Sequence, residues 1–188
     1  MPYFYKGVRY WTVPHGFDFR ITGIQPRNPA ALYSVHALMD HIAGTTHMSP
    51  LISLTRSYGV AEMYARDGAL SLSASQPSYV YVINIDDPPP SGIIVKDPIF
   101  EVADSVKNPL VSPSYHHDGD KTFILGVVNP VAMYHYLTNP APQPPGQMPK
   151  VPNLTRELQA LVRALRDAEV LVHGFIPAAC VVARHDVY

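Results

Sequence analysis

"DAEVLVHGFIPAACVVAR", residues 167–184, decides how this chain folds. An acidic residue is followed two positions later by another, then by an apolar run, a Gly and an Ile-Pro. "AEVLV" (168–172) and "ACVVARHDV" (179–187) read as the last two strands, with Gly174 and Pro177 punctuating the turn between them. Residues two apart in a strand face the same side. Asp167, Glu169 and Leu171 then point one way, and Val170 and Val172 the other. Two carboxylates at the start of an apolar strand can sit at a cleft, with one of them partly stripped of water. The plainer reading is a solvated helix end followed by a buried strand.

The remaining elements are consistent with a sheet around that pair. "PYFYKGVRYW" (2–11) is aromatic and β-branched and reads as a strand. Asn28, Pro29 and Gly44 carry the start and stop signals of a helix with Leu32, Val35, Leu38, Met39 and Ile42 on one face. "PLISLT" (50–55) is a short strand, and "SYGVAEMYARDG" (57–68) a helix stopped by Gly68. "SYVYVINI" (78–85), "GIIV" (92–95) and "TFILGVV" (122–128) are further strands. Six prolines in 140–152 mark a stiff surface loop. Asn153 then caps a helix with Leu154, Leu158, Leu161, Val162 and Leu165 on one stripe. This order predicts an α+β fold over 1–188, a single domain with a mainly antiparallel sheet and a few flanking helices.

Composition narrows the function classes. The chain has 188 residues, 47% apolar and 15% charged, with a formal net charge of -1. That length supports one real core, and the balance gives no basic footprint for general nucleic-acid binding. Cys180 is the sole cysteine, which excludes a disulfide framework and fits a reducing compartment. No apolar run is long enough to span a membrane, and the N-terminus lacks the apolar middle of a signal peptide. A cytoplasmic location and no membrane partner are expected, with leaderless secretion left open.

Two further segments carry chemistry. In "FYKGVRY", a cation in an aromatic strand suits phosphate or carboxylate, and Gly7 lets a ligand approach the backbone. Lys6 and Arg9 differ by three, so a regular strand sends them to opposite sides. In "LISLTRSYGVAEMYA", Ser53 and Thr55 share one side of a strand just before a helix. Their hydroxyls either orient a neighbouring carboxylate or cap that helix.

Taken in order, these three segments resemble the mono-ADP-ribosyltransferase fold of the cholera-toxin-like and guanine-modifying toxins. "EVLVHGFIPAACVVA" is the closest match. The resemblance covers about the first 85 residues and the last 25. It implies a split sheet, NAD as substrate, and ADP-ribose transfer to an acceptor, as a toxin, an effector or another enzyme. It places Glu169 as the catalytic Glu, Asp167 as the acidic residue two before it, and Ser53 and Thr55 in the serine motif. Lys6 stands where the family has Arg, which loses the bidentate fork; Arg9 is the substitute if the strand bulges. Gly7 would present backbone to the nicotinamide amide, and Tyr58 or Tyr64 would stack on the ring or line the pocket. The acceptor, macromolecule or small molecule, is not identified, and an inhibitor or antitoxin partner fits a toxin.

The middle of the chain holds a rival cluster, "YHHDGD". His116, His117, Asp118 and Asp120 are metal-ligand types, but a polar turn with Asp-Gly geometry is the plainer reading, and a loop meeting the second substrate on the acceptor side comes before a metal. No metal is expected. His15, His47, His135 and His173 lack a ligand spacing, and Glu101 reads as a structural acid. The alternatives to a transferase are an NAD glycohydrolase, a metal-dependent hydrolase built on this cluster, and a non-catalytic binding module.

Overall fold

A computed structural model describes residues 3–9, 17–44, 46–67, 76–105 and 156–188. The elements are β1 (Tyr3–Val8), α1 (Phe19–Thr22), α2 (Val35–Ala43), β2 (Leu51–Thr55), α3 (Tyr58–Arg66), β3 (Ser78–Asn84), β4 (Ile94–Lys96), α4 (Pro98–Ser105), α5 (Arg156–Arg166), β5 (Glu169–His173) and β6 (Val181–Val187). A short 3-10 turn, Ala178–Cys180, leads into β6. The fold is α+β, with six strands in the order β4-β5-β2-β1-β3-β6, every pairing antiparallel. Strand 122–128, the Pro-rich loop at 140–152 and the Asn153 cap lie outside the described residues.

Alternation along the strands builds a core on each side of β2 and β5, and Ala61, Ala65, Val80 and Val187 form a third cluster under α3. Ile52, Leu54, Val170 and Val172 pack with Phe4, Ile83 and Ile176 on one side. Leu51 and Leu171 meet α2, α4 and α5 on the other, through Leu38, Met39, Ile42, Val102 and Leu161. The β5 register puts Thr55 opposite Glu169 and Ser53 opposite Leu171. Ser53 and Glu169 are therefore diagonal neighbours on one face, within reach of each other's side chains.

The sheet is not uniformly joined. β1 and β3 pair from Tyr3↔Asn84 to Val8↔Tyr79, and β2 and β5 from Leu51↔His173 to Thr55↔Glu169. Between β1 and β2 the register holds one partner pair, Tyr5↔Thr55. Beyond it no further partner pair joins the two central strands.

Helix α2 starts later than its sequence signals indicate. Ser34 caps it by accepting from the Ala37 N–H, and Val35 is its first residue. Asn28 accepts a bond from Ala31 N–H and so makes a turn, while its own N–H donates to Ser49 O. Leu32, expected on the buried stripe, is 89% exposed. Helix α3 forms where expected, with Ser57 accepting from the Val60 N–H at its start and Asp67 at its end; Gly68, its expected stop, lies outside the described residues.

Candidate functional site

A cleft of about 1070 Å³ is lined by both β1 and β2. Its walls include Lys6, Gly7 and Arg9 from the β1 side, Ser53 and Thr55 from β2, and Glu169 from β5. Arg27, His41, Tyr64 and Asp167 line it as well. The long-range pairing of strands distant in sequence brings all three segments to one place.

At its base lies a polar chain. The Ser53 hydroxyl lies beside Glu169 and favours its ionised form, and Ser53 Oγ lies 2.6 Å from His41 Nε2. A hydroxyl has one proton. When that proton turns to the carboxylate, His41 donates from Nε2; when it turns to His41, Nε2 accepts it. His41 is 4% exposed, and its Nδ1 has no hydrogen-bond partner. Burial, followed by the charges of Lys6 and Arg27, holds its pKa down to about 4, so the ring is neutral. Burial also pushes Glu169 up to about 7, against the Ser53 hydroxyl and the pull of Lys6.

Lys6 follows the shared Tyr5↔Thr55 pair, and its Nζ donates to Ser53 O at 3.1 Å. Burial and Arg27 lower its pKa to about 8, while Glu169 acts in the opposite sense. Arg9 lies just past the end of β1, so strand alternation no longer governs it, and it too reaches the cleft. Its guanidinium pairs with Asp67.

Several expected roles change. Asp167 does not extend β5 beside Glu169: the strand begins at Glu169, and Ala168 between them has φ +46°. The Asp167 carboxylate is instead clasped by Arg166 Nε and Nη2 at 2.7 Å each and by Tyr64 Oη at 2.6 Å. Thr55 Oγ1 donates to Asp167 O at 2.5 Å and accepts from Ser57 N–H at 3.0 Å. It ties the turn to the start of α3 rather than orienting Glu169.

Gly7 has a packing reason: a Cβ there would sit 2.0 Å from Ala61 O of α3. Tyr64 lines the cleft through its bond to Asp167. Tyr58 packs edge-on against Tyr5, and its hydroxyl meets His185 Nδ1 at 3.3 Å; it is not part of the cleft wall.

His116, His117, Asp118, Asp120, His15 and His135 lie outside the described residues. Among the described residues, no three His, Cys, Asp or Glu side chains come together as metal ligands. His47 bonds Arg27, and His173 packs on the Tyr33 ring. Glu101 accepts from Tyr33 Oη at 2.8 Å and Lys96 Nζ at 2.9 Å, the structural acid expected of it.

Arg27, His41, Arg163 and Arg166 are cleft residues missed in the sequence. His41 carried a signal: three positions after Leu38, it is a polar residue on an apolar helical face. Arg27 carried none, since a cation in the loop "IQPRNPA" reads as surface charge. Among the described residues no helix is long and apolar enough to cross a membrane. No family model, curated protein or solved structure matches the chain.

Proposed function

We propose that the protein is an NAD-dependent mono-ADP-ribosyltransferase with an ADP-ribosyltransferase-like split sheet. The observation that carries this reading is Glu169, partly buried beside Ser53 in a cleft that also holds Lys6. The cleft is large enough for a dinucleotide. Breaking the nicotinamide–ribose bond sends both bonding electrons to the ring nitrogen, which leaves neutral nicotinamide. Positive charge develops on the ribose, as in glycoside hydrolysis. Ionised Glu169 stabilises that charge more in the transition state than in the ground state. Ser53, held from behind by neutral His41, fixes the carboxylate. Lys6 meets the diphosphate. The acceptor then attacks the sugar carbon and gives its proton to solvent or a nearby base. Water in the acceptor's place gives NAD hydrolysis.

The His41–Ser53 contact also fits a serine nucleophile beside a general base. Two features weigh against it. A pKa near 4 makes His41 a poor base at neutral pH, and no carboxylate holds its Nδ1 as the orienting third group does in such triads. The test is incubation with NAD labelled in the adenine or ribose portion, alone and with cell lysate. Released nicotinamide and label on a macromolecular or small-molecule fraction support transfer. Free ADP-ribose as the sole labelled product supports hydrolysis. Ester turnover without nicotinamide release supports the serine reading.

A further inference from the structure

Resting on the reading of the cleft as a dinucleotide site, we infer that Arg27 is a second phosphate ligand. Lining the same cleft as Lys6, it clamps the diphosphate that Lys6 alone would hold as a point charge. Five cations line the cleft: Lys6, Arg9, Arg27, Arg163 and Arg166. Arg9 is paired with Asp67 and Arg166 with Asp167. Arg163 donates to the Ile42 and Ala43 carbonyls at the end of α2. Lys6 has Ser53 O and the nearby Glu169 charge. Arg27 has no carboxylate partner among the described residues; its Nη1 donates to His47 Nδ1 at 2.7 Å.

The placement of Arg27 is fixed from both sides. Ile24 and Ile176 exchange two backbone bonds, Ile24 N to Ile176 O at 2.8 Å and Ile176 N to Ile24 O at 2.9 Å. Asn28 N–H donates to Ser49 O at 3.1 Å, next to the turn that carries His47. The backbone on either side of Arg27 is therefore tied to the body of the domain, and its side chain is braced by His47. Its positive charge reaches Lys6 and His41, and it lowers the proton affinity of both. Two like charges in one cleft repel in the free protein, and an anion between them turns that repulsion into attraction. A guanidinium presents two parallel donors to a phosphate, the fork missing at position 6.

The experiment is calorimetric titration of wild type, Arg27→Ala and Arg56→Ala with ADP-ribose and with adenosine, alongside nicotinamide release from NAD by wild type. Arg56 pairs with Asp97 outside the cleft wall and controls for net charge. Arg27→Ala is expected to weaken ADP-ribose binding by about tenfold or more, with adenosine binding unchanged. Arg56→Ala is expected to bind ADP-ribose as wild type does. Equal ADP-ribose affinity in wild type and Arg27→Ala overturns the clamp; if wild type also releases nicotinamide, the transferase reading survives. An equal loss in both variants also overturns it, because the effect is then bulk charge. Loss confined to Arg27→Ala, without nicotinamide release by wild type, leaves the clamp standing and removes the transferase reading. No ADP-ribose binding by wild type overturns the clamp, and without nicotinamide release it overturns the transferase reading as well.

Discussion

Replacing Glu169 with Gln should stabilise the protein at alkaline pH, and by an amount that disappears in acid. The carboxyl is raised from 4.5 to about 7, mainly by burial and after allowing for its attraction to Lys6. Between those values the folded protein holds a proton that the unfolded chain has lost. Stability therefore falls as pH rises through this window and stays low above it. Full ionisation in the folded state costs about 3 kcal/mol, which a neutral isostere does not incur. At pH 8 the Gln variant should be more stable by about 3 kcal/mol; at pH 5, where folded Glu169 is protonated, by about 1 kcal/mol or less. For a chain of this size that is a midpoint difference of roughly 6–12 °C at pH 8, shrinking to a few degrees at pH 5. Thermal unfolding of both proteins by circular dichroism at the two pH values measures it. A Gln variant less stable than wild type at pH 8, or a difference independent of pH, would refute the account of a carboxylate held against its solvation.

The same pair of groups sets a pH profile for NAD cleavage. kcat/KM should rise through about pH 7 as Glu169 ionises and fall above about pH 8 as Lys6 loses its proton. A flat profile from pH 6 to 9 would contradict it. Lys6→Ala should weaken NAD binding about tenfold or more through the lost phosphate contact, read by titration with NAD. If Arg9→Ala does this and Lys6→Ala does not, the cationic role belongs to Arg9. Gly7→Ala should cost about 2 kcal/mol or more, since its Cβ meets the Ala61 carbonyl at 2.0 Å; wild-type stability in urea unfolding would show that α3 does not pack there.

Local patterns carried the fold further than the site. β2, β3 and α3 were legible because short apolar runs and the turn residues around them are properties of a few adjacent residues, and they appear within a residue or two of the expected bounds. The start of α2 was misread because Asn28-Pro29 serves a turn as well as a helix; Ser34 supplied the real cap. The same limit explains Asp167. Strand alternation placed it beside Glu169, but Ala168 adopts positive φ and Arg166 and Tyr64 take the carboxylate. Tyr64 is remote in sequence, so no local rule could find that clasp. That β1 and β2 share one partner pair depends on where hydrogen-bond register stops, which neither strand encodes alone.

Nicotinamide released from NAD, followed by chromatography for wild type and Glu169→Gln side by side at pH 7.5, is the most direct test of the catalytic claim. The account predicts turnover by wild type and a loss on the order of 100-fold or more in the variant, which keeps its fold, because a major electrostatic contribution to the transition state is gone. Release by Glu169→Gln at the wild-type rate, or none by wild type with or without lysate as a source of acceptor, would contradict it.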